Sequence, residues 1–183
     1  MWLLIILLCL CPCFPAWAQA PPYSFTGTVS YVYDGDTILA KDSENKYHRI
    51  RLASIDAPEL SQPYGNEAAR LLRTLVQDET VLISVIDIDK YNREVGNVYY
   101  GCANGVGGEW RKTPKRSDPS GVSVSETMLR KGAAWHLSYF DRNSPLREFN
   151  EELEKEARLA PRGLWKDAAA IPPWQWRKLH PRE

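Results

Sequence analysis

The stretch from Asp34 to Glu59 constrains this chain more than any other. It reads D-G-D-T, a short apolar run, a polar turn, Y-H-R-I-R-L and then A-S-I-D-A-P-E. Ahead of it, Tyr23 to Tyr33 alternates loosely and is rich in Val, Tyr and Thr, which suits a strand. Asp34-Gly35 is a tight-turn dipeptide. Thr37 to Lys41 and Lys46 to Leu52 read as two further strands, joined by the polar turn Asp42-Ser43-Glu44-Asn45. With Lys41 facing Lys46, antiparallel register sets Asp36 opposite Arg51, where opposed Cβ atoms lie roughly 4.5–5.5 Å apart. Asp56 follows where the third strand runs out, and Pro58 argues against regular strand there. Asp36, Arg51, Asp56 and Glu59 thus share one end of one sheet, provided the register does not slip.

Four acidic and basic groups gathered at a strand end invite a chemical reading. Carboxylates are hard ligands, so Asp36 with Asp56 points to Ca²⁺ or Mg²⁺ and away from zinc. His48, His136 and His180 form no ligand-spaced pair. Two protein carboxylates leave coordination positions for water and a substrate oxygen, as metal-assisted hydrolysis requires. Glu59 beside them is a candidate base for the attacking water. Arg51 and Arg93 each offer a planar fork that matches a phosphate and can offset charge in the transition state. Lys90 and Tyr91, next to Arg93, add a cation and an aromatic donor. Tyr139 or Phe140 can stack a base. Singly, each has an ordinary explanation: D-G-D-T is a common turn, Arg51 a strand cation paired with Asp36, and D-A-P-E a strand exit. Their conjunction favours chemistry.

The rest of the chain supplies one domain. Its 183 residues are enough for a proper core. Lys+Arg and Asp+Glu are both 23, so a large non-specific grip on a polyanion or membrane is excluded, and any anion site must be local. Met1 to Ala20 is uncharged, with a short apolar run, Pro12 and Pro15, and A-W-A-Q-A at its end. It resembles a secretory signal peptide cleaved after Ala18 or Ala20, too short and proline-broken to span a bilayer. Cys9, Cys11 and Cys13 leave with it. Residues 21–183 then keep Cys102 alone, so no intramolecular disulfide can form. Glu67 to Gln77 reads as a helix with Ala68, Leu71, Leu72, Leu75 and Val76 as its stripe. Val81 to Ile88 and Val95 to Tyr100 read as strands. Residues 103–121 read as a long loop with a basic cluster, Arg111, Lys112, Lys115 and Arg116, beside Trp110. Ser123-x-x-Glu126 is a capping box for a second helix, with Gly132 past its end. Ser144-Pro145 opens a third, striped by Leu146, Phe149, Leu153, Ala157 and Ala160, and ended by Gly163. The tail, 167–183, is rich in Pro and Trp and suits packing without regular structure.

Seven ordered motifs carry a family resemblance. They are D-G-D-T (34–37), R-L (51–52), I-D-A-P-E (55–59), Y-G-N-E-A (64–68), D-K-Y-N-R (89–93), L-R-K-G-A-A-W (129–135) and R-G-L-W (162–165). Together they resemble the staphylococcal-nuclease-like (thermonuclease) family from about Tyr23 to Lys166. The resemblance implies an α+β fold with a mostly β core, a five-stranded OB-fold-type barrel carrying about three helices. It implies Ca²⁺-dependent endonucleolytic hydrolysis of DNA and RNA at the P–O5′ bond, leaving 3′-phosphates. By resemblance Asp36 and Asp56 are metal carboxylates, Glu59 the base, and Arg51 and Arg93 the phosphate pair. Lys90 and Tyr91 match positions near the terminal phosphate. Ala57 stands where the family often has Thr, a position that can ligate through its backbone carbonyl. Ser138 replaces one of two nucleotide-stacking tyrosines, which leaves Tyr139 as the candidate. The loop after Glu59 is short compared with the staphylococcal enzyme, residues 103–121 look like an insertion, and the charge balance is far less basic.

The expectation is a secreted or periplasmic, monomeric, sugar-non-specific endonuclease with no stable membrane association once its leader is removed. Two alternatives stand beside it: a catalytically silent OB-fold nucleic-acid-binding module, and a domain that holds Ca²⁺ only for structure. A silent module should have lost part of the acid and arginine set, and this chain keeps all of it.

Overall fold

Alternation of β-branched residues with polar ones builds a closed barrel. The computed structural model describes residues 21–101, 121–139, 141 and 144–181. Residues 1–20, Cys102, the basic cluster Arg111, Lys112, Lys115 and Arg116, and Phe140 lie outside the described residues. Strand β1 (Tyr23–Val32) pairs antiparallel with β2 (Thr37–Asp42) on one side and with β5 (Thr80–Ile88) on the other. Strand β3 (Tyr47–Leu52) follows β2 antiparallel, and β6 (Glu94–Tyr100) follows β5. Parallel pairing of β3 with β6, Ile50 opposite Glu94 through Leu52 opposite Gly96, closes five strands into a mixed barrel with no free edge between them. Register shifts between Val29 and Tyr31 in β1, and between Val85 and Asp87 in β5, bend those strands around the barrel.

The inward positions are apolar. Val29, Val32, Ile38, Ala40, Ile50, Leu52, Ile83, Val85 and Val98 form one cluster with Leu72 and Val76 of helix α1 (Gly65–Val76). Each fully buried Ile or Leu contributes roughly 1.5–3 kcal/mol. Helix α2 (Val124–Arg130) adds Met128 and Leu129 to the same cluster, and helix α3 (Arg147–Leu159) adds Leu153. Two short pairs complete the sheet structure: β4 (Ile55–Asp56) with β8 (Trp135–His136), and β7 (Val122–Ser123) against β6.

The α+β barrel is the expected one, and several details differ. The turn between β2 and β3 is one residue shorter than anticipated. Asp42 bonds Lys46 across it, its carboxylate accepts the amides of Glu44 and Lys46, and Asn45 takes a positive φ of 66°. Lys41 therefore pairs with Tyr47, and Thr37 rather than Asp36 lies opposite Arg51. The capping box is as expected, with Ser123 Oγ accepting the Glu126 amide at 3.3 Å and Gly132 at φ 65°. Helix α3 starts at Arg147, because Ser144 spends its hydroxyl and carbonyl on a preceding turn to Leu146 and Arg147. It ends at Leu159, and Gly163 begins a separate 3₁₀ turn, Gly163–Lys166. The Pro/Trp tail is not irregular: Pro173–Leu179 forms a fourth helix, α4, with Pro173 at its first position.

Candidate active site

The end of the barrel at the β1–β2 turn gathers the acids. Asp36 and Asp56 are buried, at 6% and 3% exposure. Asp36 sits at the turn that enters β2, and its Oδ2 accepts the Ala57 amide at 2.7 Å, which draws the chain after β4 onto that turn. Asp56 belongs to β4, so its backbone is fixed by pairing with Trp135 of β8. No regular strand was expected there. A two-residue partner more than seventy positions away leaves no periodic trace.

Arg51 joins the two acids despite the shifted register. From its place opposite Thr37 its Nε lies 3.2 Å from Asp36 Oδ1, and its Nη2 donates to Asp56 Oδ1 at 2.9 Å. Its Nη1 donates to the carbonyls of Leu52 at 2.9 Å and Ile55 at 2.8 Å. The guanidinium is therefore the pin that holds β3, β4 and the entry to β2 together. Arg93 reaches the same region from the β5–β6 turn. Asp89 grips it through both Nε and Nη2 at 2.7 Å, and its Nη1 lies 3.5 Å from Thr37 Oγ1. Thr37 in turn donates to Asp36 Oδ1 at 3.1 Å. The sequence reading gave Asp89 no role of its own and took Thr37 as the start of a strand. Here one aims the second arginine and the other links it to the first acid. Lys90 and Tyr91 accompany Arg93, with the Lys90 Nζ 5.0 Å and the Arg93 guanidinium 5.4 Å from the exposed Tyr91 ring. Tyr139 is exposed in the turn after β8.

Burial, and then neighbouring charge, shifts the carboxyls of this cluster. Burial, then the Asp36 charge, pushes the Asp34 carboxyl up to about 6. Burial also raises Asp56, with Asp36 adding to it, and the neighbouring arginines only partly oppose this. At Asp89 burial acts the same way, yet hydrogen bonds from Arg93 and from backbone amides outweigh it and hold that carboxyl low.

Glu59 follows on the short loop before α1. Its carbonyl accepts the Gln62 amide at 2.8 Å, and its amide is 3.2 Å from Gln62 Oε1. A residue absent from the sequence reading, Arg177 of α4, completes the cluster. Its Nη2 donates to Asp56 Oδ2 at 2.8 Å, and its Nη1 to Glu59 Oε1 at 2.8 Å and to Asp56 Oδ1 at 3.3 Å. Nothing local in P-P-W-Q-W-R-K marks that arginine; only its neighbours in space do. Among the described residues no group of three or more His, Cys, Asp or Glu is arranged to hold a metal ion. Both oxygens of Asp56 are engaged by arginine. The donor chemistry nonetheless suits a hard cation. Asp36 and Asp56 are bridged by Arg51, and Asp56 and Glu59 by Arg177, so hard oxygen donors are paired through arginine at this barrel end.

Comparison with known proteins bears on this geometry. The Staphylococcal nuclease homologue family matches residues 49–167. An uncharacterized endonuclease of Escherichia coli O157:H7 is 38% identical over 151 residues, which cover 82% of this chain and 84% of that protein. A micrococcal nuclease of Shigella flexneri is 34% identical over 164 residues, covering 90% and 84% respectively. A probable staphylococcal-like nuclease of Oryza sativa subsp. japonica is 38% identical over 144 residues, 79% of this chain and 35% of that longer protein.

Proposed function

The chain belongs to the staphylococcal nuclease family of endonucleases, and from that premise we propose a Ca²⁺-dependent hydrolase of phosphodiester bonds in DNA and RNA that leaves 3′-phosphates. The observation that carries the proposal is the convergence of Asp36, Asp56, Glu59 and Arg51 from four separate segments onto one barrel end. An uncharged segment ending in A-W-A-Q-A supports export of the enzyme, to the periplasm or the medium.

Asp36 and Asp56 would hold the cation, with the Ala57 carbonyl as a further oxygen. When bound, Ca²⁺ supplies Lewis-acid stabilisation of a phosphoryl oxygen. Glu59 takes the proton of the attacking water. Arg51 and Arg93 offset the charge that develops on the phosphoryl oxygens. Arg51 has one guanidinium N–H beyond its four present contacts for this role. Lys90 and Tyr91 hold a flanking phosphate, and Tyr139 stacks a base.

The test uses mature protein with plasmid, single-stranded DNA and RNA, each in Ca²⁺, in Mg²⁺ and in chelator. Cleavage in Ca²⁺ and none in chelator is expected. Glu59→Gln should lower kcat by about 10²–10⁴-fold, and Arg93→Ala by about 10²–10³-fold. Binding without cleavage in every metal would mark a silent nucleic-acid-binding module and sink the enzyme reading. Cleavage indifferent to both substitutions would place the chemistry on other residues.

A further inference from the structure

The last helix brings a cation into the acid cluster, and three contacts show that it is seated there. Gln62 Nε2, on the Glu59 loop, donates to the Ile171 carbonyl at 2.6 Å. Trp176 Nε1 lies 3.4 Å from Ser61 Oγ on the same loop. Arg177 then bridges Asp56 and Glu59, at 2.8 Å to each. Its planar fork meets the two carboxylates through separate nitrogens, a geometry an ammonium lacks. Burial disfavours the charged guanidinium, but its bonds to Asp56 and Glu59 prevail and hold it protonated. Helix α4 lies beyond the segment that the family matches, which ends at residue 167.

We propose that Arg177 sets the divalent-cation affinity of this site: with no cation bound its guanidinium is the counter-charge of Asp56 and Glu59, and it must withdraw before Asp56 can hold a cation. This rests on the reading that the site takes Ca²⁺. The physical reason is competition for the same electrons and the same space. Arg177 contacts both oxygens of Asp56. A divalent ion seated on that carboxylate would face the guanidinium at a distance where solvent screens little, Asp56 being 3% exposed. Withdrawal is possible because the Arg177 side chain is 44% exposed and α4 has only seven residues.

Calorimetric titration of the mature protein with CaCl₂ tests this without reference to turnover. Arg177→Gln is expected to bind Ca²⁺ about tenfold more tightly than wild type, the lower end for charged hydrogen bonds at a partly exposed group. Arg177→Lys, which keeps the charge but loses the fork, falls between the two. Asp56→Asn binds more weakly than either. Hydrogen exchange of the peptide spanning 172–181 gives a second readout: Ca²⁺ speeds exchange in wild type, while in Arg177→Gln it is already fast and indifferent to Ca²⁺. Equal affinity in wild type and Arg177→Gln, or weaker binding by Arg177→Gln, overturns the role of Arg177 while leaving a Ca²⁺ site intact. Absence of Ca²⁺ binding in all four proteins overturns the Ca²⁺ reading itself.

Discussion

Arg51 shows what one side chain can decide. Its exposure is only 13%, and it meets two carboxylates and two carbonyls through three nitrogens. Lysine at that position has a charge but no plane, and its three donors radiate from one atom. Arg51→Lys is therefore expected to leave the Leu52 or Ile55 carbonyl and one acid unmatched, and to cost about 3 kcal/mol, the low end for breaking a buried pair. Denaturant titration of the two proteins at pH 7 reads this, with the midpoint falling and the slope unchanged. The same residue marks how far the sequence could be read. The meeting of Asp36, Arg51 and Asp56 was legible from strand order and the D-A-P-E exit. The expected register was off by one, because the Asp42 carboxylate closes a tighter turn than four polar residues suggest. The contact survives the slip since a long arginine reaches diagonal neighbours as well as opposed ones. Arg177 was not legible at all: one of three cations in a proline-rich tail, it belongs to no period and no motif.

At the scale of elements, the link between the acid loop and α1 is set by Gly65. A Cβ placed there would run into the carbonyl of Glu59, and that neighbour is backbone with no rotamer to yield. Gly65 also donates its amide to the Gln62 carbonyl at 3.0 Å, so the helix start and the loop are one folded piece. Gly65→Ala should therefore displace Glu59 rather than melt α1, whose interior the residue does not occupy. The expected outcome is a loss of about 1–3 kcal/mol, as for overpacked sites, with a fall in kcat larger than the change in KM. Thermal melting with steady-state kinetics separates the two effects. Legibility at this scale follows length. Strands β1, β2, β3, β5 and β6 and helix α1 announce themselves through alternation or a 3.6-residue stripe. The pairs β4–β8 and β7–β6 are two residues long and exist only through tertiary contact. Helix α4 carried one local signal, the prolines before it, which mark a helix start as well as they mark irregular chain.

Across the whole molecule, the barrel and the helical layer are joined by a buried polar knot that has no part in the proposed chemistry. Asp141 Oδ1 accepts from Ser54 at 2.6 Å, just after β3, and its Oδ2 lies 3.0 Å from His136 Nε2 and accepts from Asn150 at 2.9 Å. Those partners come from the barrel end, from β8 and from α3. Strand β8 is the one that positions Asp56, so the knot bears on the site through the backbone. Burial opposes the Asp141 charge, but the bonds from His136, Ser54 and Asn150 outweigh it and hold its carboxyl below the usual range. A depressed folded-state value means stability that is present above the unfolded value of about 3.9 and is lost as pH falls through the folded one. Asp141→Asn keeps the shape and removes the charge. It should therefore be less stable than wild type at pH 7 by about 1–3 kcal/mol, the range for hydrogen bonds to a charged group. That deficit should shrink below about pH 4 as the wild-type carboxylate takes up its proton. Urea midpoints measured from pH 7 down to pH 3 give the curve. A deficit that stays constant over that interval would mean the knot holds by shape and not by charge.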